Sequence, residues 1–249
     1  MSQFAFDYGD GRGPVYKDGT PARKPKSKKR KGKSTASKAL KLAKENKKFI
    51  QKTIEMKQVN YYQNSTNLPS TGFSAGSFLQ IQTGAEDGTT LGSAARIGNS
   101  ITLLRQQVCM NIVASPTDTY NQVRVIIAES VDGNQALAVT DILEYGTYTL
   151  YGANVFSSPY TTKTSTNKRY KIHLDKSFEL AGVPTKGGKS SRVIKKMIRY
   201  GKSGKEIEYA GAGNLNPNNH RLSIFILTDS VSATHPVLHY SVRSSYKDA

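Results

Sequence analysis

From residue 58 onward the chain is dominated by Val, Ile, Thr, Tyr, Ser, Asn and Gly, the residues of strands and turns. Twelve of the 14 tyrosines lie in this stretch. Eight runs in it predict strands: FLQIQ (78–82), SITLLRQQVCMNIVA (100–114), QVRVIIAES (122–130), KRYKIHLDKSFEL (168–180), RVIKKMIRYG (192–201), KEIEYAG (205–211), RLSIFILTD (221–229) and VLHYSVRSSY (237–246). Several alternate. In the fourth, Tyr170, Ile172 and Leu174 are expected on one face and Arg169, Lys171 and His173 on the other, as a basic extension. Turn residues separate the runs, among them Asp132-Gly133-Asn134 and Lys186-Gly187-Gly188. AVTDILEYG (138–146) reads as a short helix capped by Thr140 or Asp141 and ending at Gly146. With no regular alternation of strand and helix, these runs predict an all-β antiparallel sandwich or barrel. The long connection at 147–167 favours Greek-key over meander topology.

The formal charge of +18 is unevenly placed. Residues 1–60 hold 17 basic and 5 acidic residues, a net of +12, and residues 21–48 hold 13 basic residues against the single acid Glu45. PARKPKSKKRKGKS (21–34) contains no apolar side chain larger than alanine, so it has nothing to bury and is expected to be disordered in isolation. A segment of this kind binds polyphosphate by displacing condensed counterions, a salt-sensitive and sequence-independent interaction. The candidate nucleic-acid-binding residues are Arg23, Lys24, Lys26, Lys28, Lys29, Arg30, Lys31, Lys33, Lys38, Lys41, Lys44, Lys47 and Lys48. No aromatic interrupts them, which argues against base readout by this arm. Lys28, Lys29, Arg30 and Lys31 also fit a nuclear-import signal, which would bring in host import machinery as a partner.

At 35–57 the pattern becomes a basic amphipathic helix. Ala36, Ala39, Leu40, Ala43, Phe49, Ile50 and Ile54 recur at mostly three- and four-residue spacings, and Ser34 or Thr35 is placed to cap its start. The chain thus divides into a basic N-terminal arm (1–57) and a β domain (58–249).

The same residues argue against catalysis. One cysteine, Cys109, excludes a disulfide scaffold, and its neighbours Val108, Met110 and Ile112 predict a buried, inert thiol. GVPTKGGKS (182–190) misses a phosphate loop because Val183 stands at the first glycine, and a strand pattern follows it. His235 and His239 have no carboxylate near them in sequence, so no metal site and no cofactor are expected. No run is long and apolar enough to span a membrane, and MSQFAFDYGDGRG lacks the pattern of a secretory signal. A second basic set, Lys186, Lys189, Arg192, Lys195, Lys196, Arg199, Lys202 and Lys205, fits two readings equally. It could line a nucleic-acid-facing surface, or form a solvated edge that discourages strand-to-strand aggregation.

Three blocks taken together resemble the capsid proteins of small circular single-stranded DNA viruses that encode a replication initiator, the circovirus-like group. They are the Lys-rich arm with KENKKFIQKTIEMK (44–57); RIGNSITLLRQQV (96–108) with VRVIIAESVDGN (123–134); and RYKIHLDKSFEL (169–180) with NHRLSIFILTDS (219–230) and the final VRSSYKD. The early FAFDYG (4–9) departs from an arm that is basic from its start. The resemblance implies an eight-stranded jelly roll of two facing four-stranded sheets. It also implies self-assembly into an icosahedral shell of about 60 copies, a location in the virion and the host nucleus, and single-stranded DNA as the packaged partner. Sixty arms would offset on the order of 700 phosphates. Satellite and other small RNA virus coats share this fold and arm. A cellular nucleic-acid-binding β protein is the remaining alternative.

Overall fold

The computed structural model describes residues 35–53, 56–84, 95–117, 120–131, 136–145, 154–161, 170–182, 188–211, 213–231 and 234–248. The chain forms two units, Met1–Gln51 and Lys52–Ala249. In the first, helix α1 spans Thr35–Thr53. It ends earlier than the apolar spacing to Ile54 predicts, and Met56 and Lys57 already belong to a strand.

The second unit contains β1 (Met56–Asn67), β2 (Phe73–Gly76), β3 (Ser100–Val113), β4 (Asn121–Ser130), helix α2 (Val139–Ile142), β5 (Tyr170–Leu180), β6 (Ser191–Arg199), β7 (Lys205–Glu208), β8 (Arg221–Thr228) and β9 (Val237–Asp248). One sheet has the order β1-β9-β3-β6, with β7 also on β3; the other has the order β2-β8-β4-β5. Every strand pairing is antiparallel. The chain crosses repeatedly from one sheet to the other, and in each sheet a late strand, β9 or β8, lies between two early ones. That interleaving is the jelly roll.

Nine strands stand where eight are expected because β6 and β7 are one strand interrupted. Both pair with β3, and the five residues 200–204 stand opposite Leu104 alone. Gly201 and Gly204, at φ 75° and 79°, turn the chain out and back.

Two further expectations at the start of the domain are corrected. FLQIQ is not a strand: Phe78, Leu79 and Ile81 are buried in an irregular segment that pairs only through a bridge at Thr83. The true first strands are β1, an edge strand that is mostly exposed and therefore mostly polar, and β2, which is only four residues long. Neither carries a buried alternation that periodicity could detect.

The main core lies between the sheets, where Val108, Met110 and Ile112 of β3 meet Val123, Val125 and Ile127 of β4 and Ile224 and Ile226 of β8. Burial of each such side chain contributes about 1.5–3 kcal/mol. A second cluster of Leu79, Ile81, Ile101, Leu103, Ile207, Tyr209 and Tyr246 forms a separate part of the core. A third lies on the other face of the four-stranded sheet, where Ile126, Ala128, Phe225 and Leu227 pack under Ile142, Leu143 and Val155. One sheet is therefore buried on both faces, which is why nine of the ten residues of β4 are fully buried.

In the four-residue α2 the N-cap is Ala138 rather than Thr140 or Asp141. Asp141 instead accepts a hydrogen bond from the Ala138 N–H at 2.7 Å, and Leu143 is already extended, so the helix stops short of Gly146.

Candidate nucleic-acid interface

Of the sequence-nominated cations, Lys38, Lys41 and Lys44 lie on exposed turns of α1. Lys41 meets Glu45 at 3.5 Å in an i,i+4 pair that is largely solvated and contributes little to stability. Lys47 and Lys48 continue the same helix backbone. Arg23, Lys24, Lys26, Lys28, Lys29, Arg30, Lys31 and Lys33 lie outside the described residues. The helix has no acidic residue in its first turn, and Leu40 and Leu42 are 58% and 60% exposed.

The second basic set is divided by strand alternation rather than gathered. The register puts Lys195 opposite Cys109 and Arg199 opposite Arg105, on the outer face of the five-stranded sheet. Arg192 and Lys196 take the other face at the β6 edge, with the Arg192 guanidinium 5.9 Å from the Phe178 ring centre. Lys205 is drawn onto a buried carboxylate, Glu129, at 2.6 Å. Lys189 and Lys202 are exposed in connections, and Lys186 lies outside the described residues.

Cys109 also departs from expectation. Val108, Met110 and Ile112 point into the core, so the residue between them points out, and Cys109 is only half-buried on the open face. Its sequence neighbours are apolar because they alternate with it.

A similar phase error affects β5. A bulge places His173 as an extra residue between the pairs Ile127–Leu174 and Ala128–Ile172. Leu174 consequently packs into the main core, while Tyr170 and Ile172 pack into the outer cluster. His173 does not extend a basic face. Its Nε2 lies 2.9 Å from Glu129 Oε2, while Glu129 Oε1 accepts from Lys205 and contacts His220 Nδ1 at 3.2 Å. His220 Nε2 reaches Gln106 Oε1 at 3.0 Å, and Tyr200 donates to the same oxygen at 2.7 Å. This network joins β3 and β7 of one sheet to β4 and β5 of the other. Burial pushes the Glu129 carboxyl up, but the bonds from His173, His220 and Lys205 outweigh it and hold it below the carboxylate range. Burial pushes His220 down, opposed in part by Glu129.

Two buried arginines hold the connections in place. Arg124 makes a forked pair with Asp175 at 2.7 and 3.0 Å and donates to the carbonyls of Val155 and Ser158 at 2.7 and 3.0 Å. It thereby fixes the segment that covers the four-stranded sheet. Tyr160 donates to Asp175 at 2.8 Å, and burial with that carboxylate pushes its hydroxyl up to about 12. Arg96 has no exposed surface; its Nε donates to Ile81 O at 3.2 Å and its Nη2 to Gly211 O and Asn214 O at 2.8 and 3.0 Å. A further bond runs from Nη1 to Gly98 O, and the guanidinium stands 4.1 Å from the Tyr209 ring centre. Sequence reasoning singled out RIGNS as a motif without its cause, which is this cage of carbonyls.

The outer face of the five-stranded sheet differs from that of its partner. Successive cross-strand rows read Gln58, Ser245, Arg105, Arg199; then Asn60, Arg243, Gln107, Met197; then Tyr62, Ser241, Cys109, Lys195. Arg105 donates to Ser245 Oγ at 3.3 Å and Arg243 to Asn60 Oδ1 at 2.9 Å. Tyr62 is 71% exposed at the rim of an open dish of about 290 Å³ that Cys109, Asn111, Val193 and His239 also line. Among the described residues, no group of three or more His, Cys, Asp or Glu side chains is placed to hold a metal ion. Within the same residues, no helix is long and apolar enough to cross a membrane.

No protein-family model matches the chain, and no curated protein matches it. Solved structures similar to it include Desmodium yellow mottle tymovirus, at 8% identity and a TM-score of 0.39, covering 78% of this chain and 88% of that one. Turnip yellow mosaic virus at 100 K has 10% identity and a TM-score of 0.38, covering 79% and 94%. Broad bean stain virus has 13% identity and a TM-score of 0.30, covering 73% and 84%. At such values the fold assignment rests on the strand order above.

Proposed function

We propose that this chain is the structural subunit of a small icosahedral virus shell that packages single-stranded DNA on its Lys/Arg-rich N-terminal arm. The observation that carries this reading is a conjunction: an interleaved two-sheet jelly roll directly follows a stretch of 13 basic residues and one acid. The rigid domain supplies edges and loops for symmetric contacts, each burying on the order of 800 Å² per partner. The arm supplies cations whose binding to phosphate releases counterions and requires no particular sequence. Lys28, Lys29, Arg30 and Lys31 fit an import signal that would bring the subunit to the nucleus, where a circular DNA genome is copied.

The test is to purify the full chain at low salt, inspect it by size exclusion and electron microscopy, and digest what copurifies. Uniform closed particles whose contents yield to DNase support the whole reading. RNase-sensitive contents would keep the shell and replace the genome type. A monomer at every salt concentration would point to a cellular nucleic-acid-binding domain instead. Removal of residues 1–34 should abolish nucleic-acid content while preserving the β fold; equal content in the truncated protein would refute the role given to the arm.

A further inference from the structure

We infer that the open face of the five-stranded sheet is a second binding surface for single-stranded nucleic acid, with arginines holding the phosphodiester backbone and Tyr62 stacking on a base. This rests on the proposed packaging function and adds to it a site outside the arm.

The first argument is the difference between the two sheets. The outer face of the four-stranded sheet is closed by the chain's own residues, Ile142, Leu143 and Val155. On the other sheet the three outer rows from Gln58 to Lys195 contain four cations and no carboxylate. The acids nearest in register, Glu206 and Glu208, lie beyond them on β7.

The second argument is an electrostatic conflict. Arg105 and Arg199 stand directly opposite each other on neighbouring strands. Like charges in that position repel. Arg243, one row along on β9, adds a third guanidinium at a diagonal position. The visible partners of Arg105 and Arg243 are a neutral hydroxyl and a neutral amide. A polyanion laid across the rows would relieve this repulsion, and guanidinium forks suit phosphate oxygens.

The third argument is the aromatic. Tyr62 is one of the most exposed large apolar side chains described, and it lies on the same face, two rows from Arg105. Cations that follow a backbone, next to an aromatic platform, bind single strands without sequence preference. The dish beside Tyr62 is shallow and sits near the small end of ligand cavities, which suits a base edge better than a whole small molecule.

The test uses the full chain as unassembled subunits, with oligothymidylate and oligouridylate of about 16 nucleotides as probes. Binding is followed by fluorescence anisotropy across a salt series. The double variant Arg105→Gln, Arg199→Gln should flatten the slope of log K against log salt by about 1. Tyr62→Ala should weaken binding about tenfold with the slope unchanged. Cys109, the one cysteine, lies between Ser241 and Lys195 and provides a readout in the unaltered protein. Its alkylation by N-ethylmaleimide should slow severalfold with saturating probe. If both variants bind as tightly and as salt-dependently as the parent, and Cys109 reacts at one rate with or without probe, the sheet-face site is refuted while the arm's role stands. A parent chain that binds neither probe would overturn the packaging function itself. A preference between the two probes would show which nucleic acid the face is built for.

Discussion

Replacing Arg96 with methionine tests the claim that a single guanidinium ties three connections to the β3 entrance. The wild-type side chain is wholly buried and donates well-formed bonds to Ile81 O, Gly211 O and Asn214 O. Bonds from a charged donor contribute about 1.5–3 kcal/mol each, but burying the cation costs several kcal/mol. Methionine removes both terms, so the net loss is set by what remains behind. Gly98 and Asn214 are exposed and Gly211 half-buried, so water can take over their carbonyls. Ile81 is buried, and its carbonyl would lose a partner at a cost of about 1–3 kcal/mol. Loss of the contact with the Tyr209 ring adds about 0.5–2 kcal/mol. Arg96→Met should therefore destabilise the domain by about 3 kcal/mol, or roughly 6–12 °C in Tm for a domain of this size. Urea denaturation of unassembled subunits, followed by tyrosine fluorescence, measures the loss. Hydrogen exchange locates it: the amides of Ile81 and Tyr209, bonded to Leu215 O and Asn99 O, should exchange faster while the β3–β9 ladder stays protected. Arg96→Lys keeps the charge without the fork and should recover less than half of the loss. A change below about 1 kcal/mol, or uniform acceleration of exchange, would show that the cage is not what holds these connections.

The other predictions concern the remaining anchors. Asp175→Asn leaves Arg124 buried against carbonyls alone and should cost about 3 kcal/mol, with proteolytic sensitivity appearing around 155–161; a silent variant would show that the pair does not hold that segment. Acid should unfold the domain in two stages. His220 has a folded value below its usual 6.5, so the unfolded chain takes up the proton first and stability falls as pH drops through that region. Glu129 and Asp175 are held below their usual 4.5 and 3.8, so their stabilisation is complete above those values and is lost on further acidification. Urea midpoints measured from roughly pH 8 to pH 3 check this; His220→Gln should remove the upper stage alone, and a parent midpoint unchanged down to about pH 5 would contradict it. Gly204→Ala puts a Cβ 2.6 Å from Thr102 Cγ2 and 2.9 Å from Leu103 O at φ 79°, and should cost about 2–4 kcal/mol; a neutral change would mean that the β6–β7 interruption relaxes freely.

Much of the sandwich was legible because buried strands write themselves as apolar runs. QVRVIIAES and RLSIFILTD lie in a sheet covered on both faces, and each became a strand within a residue or two of its predicted bounds. Strands at the rim were not legible, since β1 exposes most of its side chains and β2 is too short to show a period. Bulges defeated face assignment. Alternation counts residues and an inserted one reverses the count, so Leu174 and His173 fell on the wrong sides. On the open face, Arg105, Arg199 and Arg243 come from three separate runs, and no local pattern brings them together.

By itself the sequence determined that this chain is a cationic leader followed by an antiparallel β domain. Both properties are local: charge density needs no partner, and strand preference follows from side-chain shape and two-residue alternation. Only the tertiary structure decided the interleaved strand order, the burial of Arg96, Arg124 and Glu129, and the contrast between a covered sheet and an open one. These depend on residues far apart in the chain, such as Arg96 and Asn214 or Glu129 and His220, meeting in space. A buried charge is tolerated only where the completed fold supplies acceptors or counter-charges for it, and no stretch of local sequence reports that supply.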